Sequence, residues 1–138
     1  MAWDGWILAA DPGGHTGLVF VDPDGAVDAC ATVTSEEEIG SFLDDKGYGS
    51  ATLVVIESFA GAGALRHETI VTLTRLGFIY GYVYRRGLHV HFQSPQARLA
   101  FEEPAKLIFP KHEERHMRSA LAHALRAKES YRPKEVGE

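Results

Sequence analysis

Two carboxylates in this sequence stand at the ends of apolar stretches that have the composition of buried strands. Asp11 ends "WILAAD" and Glu57 ends "LVVIE", and glycine or small residues follow each of them. Because neighbouring strands that end at one edge of a sheet bring their last residues together, the two side chains can converge in space. Paired carboxylates bind hard divalent cations such as Mg²⁺, and they can bridge a two-metal site that cleaves phosphodiesters. The alternative is that Asp11 caps its turn and Glu57 pairs with a surface base.

A third polar group lies near the end of the chain, in "RHMRSALAHAL" at residues 115–125. His116, Ser119 and His123 fall within about 60° of one face of the predicted helix. That face is a solvated stripe, a packed seam or one wall of an active site. The basic residues that flank the arc suit phosphate contacts, or they simply belong to a solvated helix face; they are Arg115, Arg118 and Arg126.

The elements that must position these residues follow the order β-β-β-α-β-α-β-α. We predict an α/β fold with a mixed five-stranded sheet, in which an antiparallel meander of three strands is followed by parallel strands, flanked by helices. Ser35 and Glu38 form a capping-box pattern at the start of the first helix. A long helix is expected over about 66–86 and a last helix over about 113–129. Three prolines between them predict a mostly irregular segment over 94–113.

Composition places the chain among globular proteins. Its 138 residues are 45% hydrophobic and 24% charged, the size and composition of one domain. The lone Cys30 excludes an internal disulfide and fits a reducing compartment. The sequence contains neither an apolar run of about 20 residues nor a basic segment before "WILAA". These features predict a cytoplasmic protein, of a bacterium or of a host cell if viral, with no membrane contact.

The net charge of −5 is unevenly distributed. Residues 1–57 hold eleven acidic residues and one basic residue, whereas the remainder holds eight acidic and thirteen basic residues. A local basic face matters more for nucleic-acid binding than the total charge. The acidic balance therefore does not exclude a nucleic-acid partner, and an ordinary mixed surface is the alternative.

Three stretches in this order, "ILAADPGGHTGLVFVD", "LVVIESF" and "HMRSALAHAL", resemble the RuvC-like Holliday junction resolvases of the ribonuclease H-like superfamily. The similarity is greatest to small, divergent virus-type members and spans about residues 6–126. It implies a ribonuclease H-like fold, with a single nuclease domain over 1–129 and a short tail over 130–138. It also implies an endonuclease that resolves four-way junctions or other branched DNA, needs Mg²⁺ or Mn²⁺ and uses no nucleotide cofactor.

The resemblance also implies roles for individual residues. Asp11 would bind both metals, Glu57 would bind one of them, and His116 would complete the site as a ligand or as a base toward the attacking water. Ser119 departs from the family pattern, because it occupies the position of the last Asp. A neutral hydroxyl is a poor Mg²⁺ ligand, so the chain is a weakened enzyme, an inactive form, or a variant in which another residue takes over. Candidates for that replacement are Glu68, Glu113 and His123. If it is not a ligand itself, His123 is expected to contact and orient a metal ligand.

Two further features bear on partners. Phe59, directly after "ES", is expected either to stack on bases at a branch point or to pack in the core. The helix containing "RLGFIYGYVYRRG" is apolar on two sides, so it lies deep in the core or forms a homodimer interface. The resemblance favours the homodimer, since RuvC-like resolvases work as two-fold dimers.

Two rival functions come from other classes. One is a catalytically inactive branched-DNA-binding homologue, which Ser119 favours. The other is an actin-like sugar kinase or ATPase, because "DPGGHTGLVFVD" also resembles the first phosphate loop of that superfamily. Length argues against the kinase, since such enzymes need two domains and a second phosphate motif.

Overall fold

The computed structural model of the chain describes residues 3–45, 52–58 and 67–132. Its strands and helices follow the predicted order, with one additional helix. The strands are β1 (Ile7–Asp11), β2 (Thr16–Val21), β3 (Val27–Val33), β4 (Leu53–Glu57) and β5 (His89–Gln93). The helices are α1 (Glu36–Asp45), α2 (His67–Tyr84), α3 (Glu102–Ile108) and α4 (Arg115–Ser130). Short 3₁₀ helices cover Pro95–Phe101 and His112–Glu114.

The five strands form one mixed sheet in the order β3-β2-β1-β4-β5. The first three strands are an antiparallel meander, and β4 and β5 run parallel to β1. The predicted fold class is therefore confirmed. Because β1, β4 and β5 run in one direction, their last residues lie at the same edge of the sheet, and the register pairs Glu57 directly with Gln93.

Alternating residues of the central strands bury both faces of the sheet. One face packs against α3 and α4 and contains Ile7, Ala9, Val19, Val21, Leu53 and Val55. The other packs against α1 and α2 and contains Leu8, Ala10, Leu18, Phe20, Val54 and Ile56. Burial on both faces explains why "ILAA" and "LVVI" read as continuous apolar runs.

Helix α4 lies unusually close to the sheet. It buries four alanines, Ala120, Ala122, Ala124 and Ala127, and at Gly17 of β2 a Cβ atom would lie 2.1 Å from the carbonyl oxygen of His116. Glycine is therefore needed at position 17 for the start of α4 to reach β2. The close packing fixes His116 beside the end of β1.

The start of α1 follows the predicted capping box with one change. The Ser35 Oγ accepts a hydrogen bond from the Glu38 backbone N–H at 3.1 Å. The Glu38 carboxylate accepts in return from the backbone N–H of Thr34, at 3.2 Å, rather than from that of Ser35. The helix therefore begins where the sequence pattern places it.

The segment over 94–113, predicted as an irregular loop with room for one short helix, is more helical than expected. The Pro95–Phe101 3₁₀ helix and α3 cover most of it. Its prolines are compatible with helix, because Pro95 begins the 3₁₀ helix and Pro104 lies in the first turn of α3, where no backbone N–H donor is needed. Among the described residues, no helix is long and apolar enough to cross a membrane.

Candidate active site

Two partly buried carboxylates meet at the edge of the sheet where β1 and β4 end. The Asp11 side chain is 18% exposed and that of Glu57 is 10% exposed. Burial, with Glu57 adding repulsion, raises the pKa of Asp11 from 3.8 to about 6, although His116 and Ser119 oppose the shift. The folded chain therefore disfavours the charge of Asp11, the carboxylate of the pair that has no arginine contact among the described residues.

His116 lies on the Asp11 side of this pair. Its Nδ1 is 3.9 Å from Asp11 Oδ2, and its ring stacks on the His15 ring with centroids 5.6 Å apart. Its Nε2 is buried and has no hydrogen-bond partner among the described residues, and the same is true of Ser119 Oγ. Ser119 affects the Asp11 pKa without forming a hydrogen bond of normal geometry. The His15 ring is thus a neighbour of the site, although its spacing in the sequence does not match that of a metal ligand.

His123 lies on the Glu57 side and is completely buried. Its Nδ1 is 2.7 Å from Gln93 Oε1, and its Nε2 is 3.7 Å from Glu57 Oε1. Burial lowers the pKa of His123 to about 4, so the ring is neutral near pH 7. With the Gln93 amide oxygen as acceptor, Nδ1 carries the proton and the Nε2 lone pair faces Glu57. That lone pair is also without a partner in the described chain.

Arg98 is a site residue that sequence reasoning missed. Its Nη1 donates to Glu57 Oε1 at 2.6 Å and its Nε donates to Glu102 Oε1 at 3.3 Å. The residue lies in the segment that was predicted to be irregular, so nothing in its spacing pointed to the sheet edge. Gln93 could have been found, since it ends a predicted strand just as Asp11 and Glu57 do.

Asp11 lines a cleft of about 290 Å³, and Glu57 contacts Arg98 in the wall of that cleft. Three arginines line it together with Asp11, Glu102, His116 and Ser119; they are Arg98, Arg115 and Arg118. Arg115 donates to the His112 carbonyl oxygen, and Arg118 donates to the carbonyl oxygens of Phe109 and Lys111. The cleft thus combines acidic groups at its base with guanidinium groups at its walls.

The remaining candidates lie elsewhere. Arg126 lines a different groove. Glu68 and Glu113 are exposed and do not line the cleft, so neither stands where the last Asp of the family would be. Phe59 lies outside the described residues. His123 is therefore the one proposed substitute for that Asp that contacts the carboxylate pair.

The donor set suits a divalent cation in its chemistry. Carboxylate oxygens are the ligands that Mg²⁺ and Mn²⁺ prefer, whereas an imidazole nitrogen suits later transition metals better. Three buried polar atoms here lack partners in the described part of the chain. A cation would relieve the repulsion that raises the Asp11 pKa. Within ranges 3–45, 52–58 and 67–132, however, no group of three His, Cys, Asp or Glu side chains is close enough to hold a metal ion. The two carboxylates fit the cation in type, but the described side chains do not form a closed metal site.

Comparisons with known proteins agree on the fold. No protein-family model matches the sequence, and no curated protein matches it. Among solved structures, Thermus thermophilus RuvC in complex with Holliday junction substrate is similar, with a TM-score of 0.66, 18% identity, and coverage of 88% of this chain and 91% of that chain. A second structure of Thermus thermophilus RuvC has a TM-score of 0.57 and 20% identity, covering 88% and 92% of the two chains.

The structure of a viral resolvase is also similar to this chain in fold. The complex of Fowlpox virus resolvase with substrate Holliday junction DNA has a TM-score of 0.57 and 11% identity, and the match covers 89% of this chain and 98% of that chain. At such identities the likeness establishes the fold alone. The resemblance to RuvC-like resolvases is thus confirmed at the level of the ribonuclease H-like fold over nearly the whole chain.

Proposed function

We propose that this protein is a metal-dependent, structure-specific DNA endonuclease that resolves four-way junctions. One observation supports the proposal above all: the partly buried Asp11, whose neighbour is Glu57, lines a cleft together with three arginines. The acidic groups suit a divalent cation, and the arginines around them suit the phosphodiester that the cation would hold. Two of the similar structures are complexes with Holliday junction DNA, which supports the substrate class.

The residues divide the chemistry among them. Asp11 and Glu57, with His116, would hold Mg²⁺ or Mn²⁺, which when bound polarises the phosphate and activates water. Arg115 and Arg118 would bind the non-bridging oxygens and the flanking phosphates. Arg98 would steady Glu57 and offer its Nη2 N–H groups to the phosphate, since its bonds to other described residues use Nε and Nη1. His116 would act in one of two ways: as that ligand, or, with its partnerless Nε2 unprotonated, as the base that takes the proton of the attacking water.

Ser119 supports a second candidate function. Its hydroxyl lies beside Asp11 where the resemblance implies a carboxylate, and Arg98 already supplies a cation to Glu57 at 2.6 Å. Both features favour a homologue that binds branched DNA without cleaving it. The two functions share the cleft and differ in whether a metal binds there tightly enough to act.

The homodimer is proposed on the exposed face of α2. Helix α2 turns Ile79 and Val83 into the core, and it leaves large apolar side chains in solvent on another side. These are Ile70 at 51%, Leu73 at 41%, Tyr80 at 37% and Tyr84 at 68% exposed. Gly77 and Gly81 fall on the same stripe and have open space where a Cβ would lie. An apolar stripe with glycines at its centre suits close packing against a second copy.

Gly77→Arg tests the dimer without disturbing the monomer, because nothing lies within 4 Å of the added Cβ. We expect light scattering to give the mass of two subunits for the natural sequence and of one subunit for the variant. Circular dichroism should show unchanged helix content. A single-subunit mass for the natural sequence at micromolar concentration would refute the dimer.

Incubation with a four-way DNA junction and Mn²⁺ separates the two functions. The enzyme should make paired, symmetric nicks that disappear in Asp11→Asn and persist in the matched surface variant Asp28→Asn. Ser119→Asp should raise the cleavage rate, since it restores a carboxylate beside Asp11. Tight junction binding with no cleavage by any form would instead establish the inactive homologue. Cleavage unchanged by Asp11→Asn would reject the assigned site.

A further inference from the structure

A second basic groove lies beyond the candidate active site, along the free edge of the sheet. It has a volume of about 830 Å³ between β5 and the end of α4. Its polar lining comprises His89, His91, Arg126, Ser130, Tyr131 and Arg132. None of the described residues that line it is a carboxylate. In a chain of net charge −5, a groove lined by two arginines and no carboxylate stands out as a region of positive charge.

The groove is built by packed aromatic rings. The His91 ring lies 4.9 Å from the Tyr131 ring, and Trp3 makes edge contacts with Tyr131 at 5.9 Å and with His89 at 5.8 Å. These contacts hold Tyr131 and Arg132 of the chain against β5 after α4 ends. The cationic side chains are thus presented by a fixed scaffold.

Arg126 is unpaired within the part of the chain that the structure describes. Among the described residues it forms neither an ion pair nor a side-chain hydrogen bond, whereas Arg75, Arg86 and Arg98 each contact a carboxylate. It lies near His91 and His123 and helps to lower the pKa of both, after burial of each ring. An unpaired guanidinium beside two imidazoles gains from an added anion.

One polar stripe of α4 connects the two sites. Positions 116, 119, 123, 126 and 130 fall within about 80° of one helix face. His123 contacts Glu57 and Gln93 midway along this stripe. On β5, His89 and His91 alternate onto the same face as Gln93. Arg126 follows His116 by ten residues, or about 15 Å along the helix, which spans about four base pairs of DNA.

We propose that this groove binds a backbone phosphate of a DNA arm, about four base pairs from the scissile phosphate. The inference rests on the proposed function for the direction of the DNA: the strand that enters the cleft would continue along β5. Arg126 and Arg132 carry the charge, and Tyr131, Ser130 and the two histidines supply further hydrogen-bonding groups. Because α2 packs on the opposite face of the sheet, the groove stays open in a dimer formed through α2.

Binding measured by fluorescence anisotropy in EDTA tests the charge contribution. The double variant Arg126→Gln/Arg132→Gln should weaken binding of a four-way junction about tenfold, and the slope of log affinity against log salt should fall by about 1 to 2. Lys128→Gln is the matched control, since Lys128 is on the same helix but its Nζ contacts the Pro23 carbonyl oxygen. It should change affinity less than about twofold. Equal affinities and slopes for the double variant and the control would overturn the proposal.

A second measurement separates this inference from the proposed function. Histidine imidazole NMR signals are recorded while a linear DNA duplex is added, with exposed His112 as the reference outside the groove. Shifts at His89 and His91 that are abolished by the double variant support the groove, whether or not junctions are cleaved. Junction cleavage with unshifted His89 and His91 signals would reject the groove and leave the nuclease standing.

Discussion

Replacing Asp11 by Asn should stabilise the metal-free protein while removing its proposed activity. The pKa of Asp11 rises from 3.8 to about 6 on folding, mainly because the carboxyl is buried. Between these values the folded chain binds the proton more tightly than the unfolded chain, so the free energy of unfolding falls as pH rises. Above pH 6 the full penalty is present, and a shift of this size corresponds to about 3 kcal/mol.

Urea unfolding in EDTA, followed by the fluorescence of Trp3 and Trp6, measures this difference. Near pH 7 Asp11→Asn should gain up to about 3 kcal/mol over the natural sequence, and near pH 4 most of that gain should vanish. The exposed control Asp28→Asn should show no such gain. Added Mg²⁺ should stabilise the natural sequence, since it binds the folded state alone, and should leave Asp11→Asn unchanged. A variant that is less stable than the natural protein near pH 7 would refute the reasoning.

Two further predictions concern the packing around the site. Gly17→Ala should lower the free energy of unfolding by about 3 kcal/mol or more, because its Cβ would meet the His116 carbonyl group. The control Gly14→Ala has open space around its Cβ and should not lower it. Equal urea midpoints for the two variants would contradict the close approach of α4. Gln93→Leu should cost about 1–3 kcal/mol, because it leaves the buried His123 Nδ1–H without its acceptor. Adding His123→Leu should recover part of that loss, and a fully additive loss would argue against the hydrogen bond.

The acidic part of the site was predictable because strand composition and chain direction determine it together. Asp11 and Glu57 each end an apolar run, and parallel pairing of β1 with β4 brings strand ends together. The face of α4 was predictable for the same reason, since helical periodicity alone groups His116, Ser119 and His123. These predictions need only local sequence patterns and one rule of tertiary structure, that neighbouring parallel strands end at the same edge of the sheet.

The basic part was not predictable in the same way. Arg98 reaches Glu57 from a 3₁₀ helix whose prolines indicated irregular chain, and 41 positions separate the two partners. Arg126 was grouped by sequence with Arg115 and Arg118, yet it lies in another groove, because seven or more residues of helix carry it past the sheet edge. Where a long side chain ends depends on tertiary packing, which single-sequence patterns do not contain.

The central claim is that the Asp11–Glu57 cleft holds a catalytic divalent cation. A crystal of the natural protein soaked in Mn²⁺, with anomalous scattering recorded, tests it most directly. We expect an anomalous peak within coordination distance of carboxylate oxygens from both Asp11 and Glu57, with His116 at or beside the ion, and no peak there in Asp11→Asn. A clean map at this position in the natural protein, with Arg98 still bound to Glu57, would contradict it.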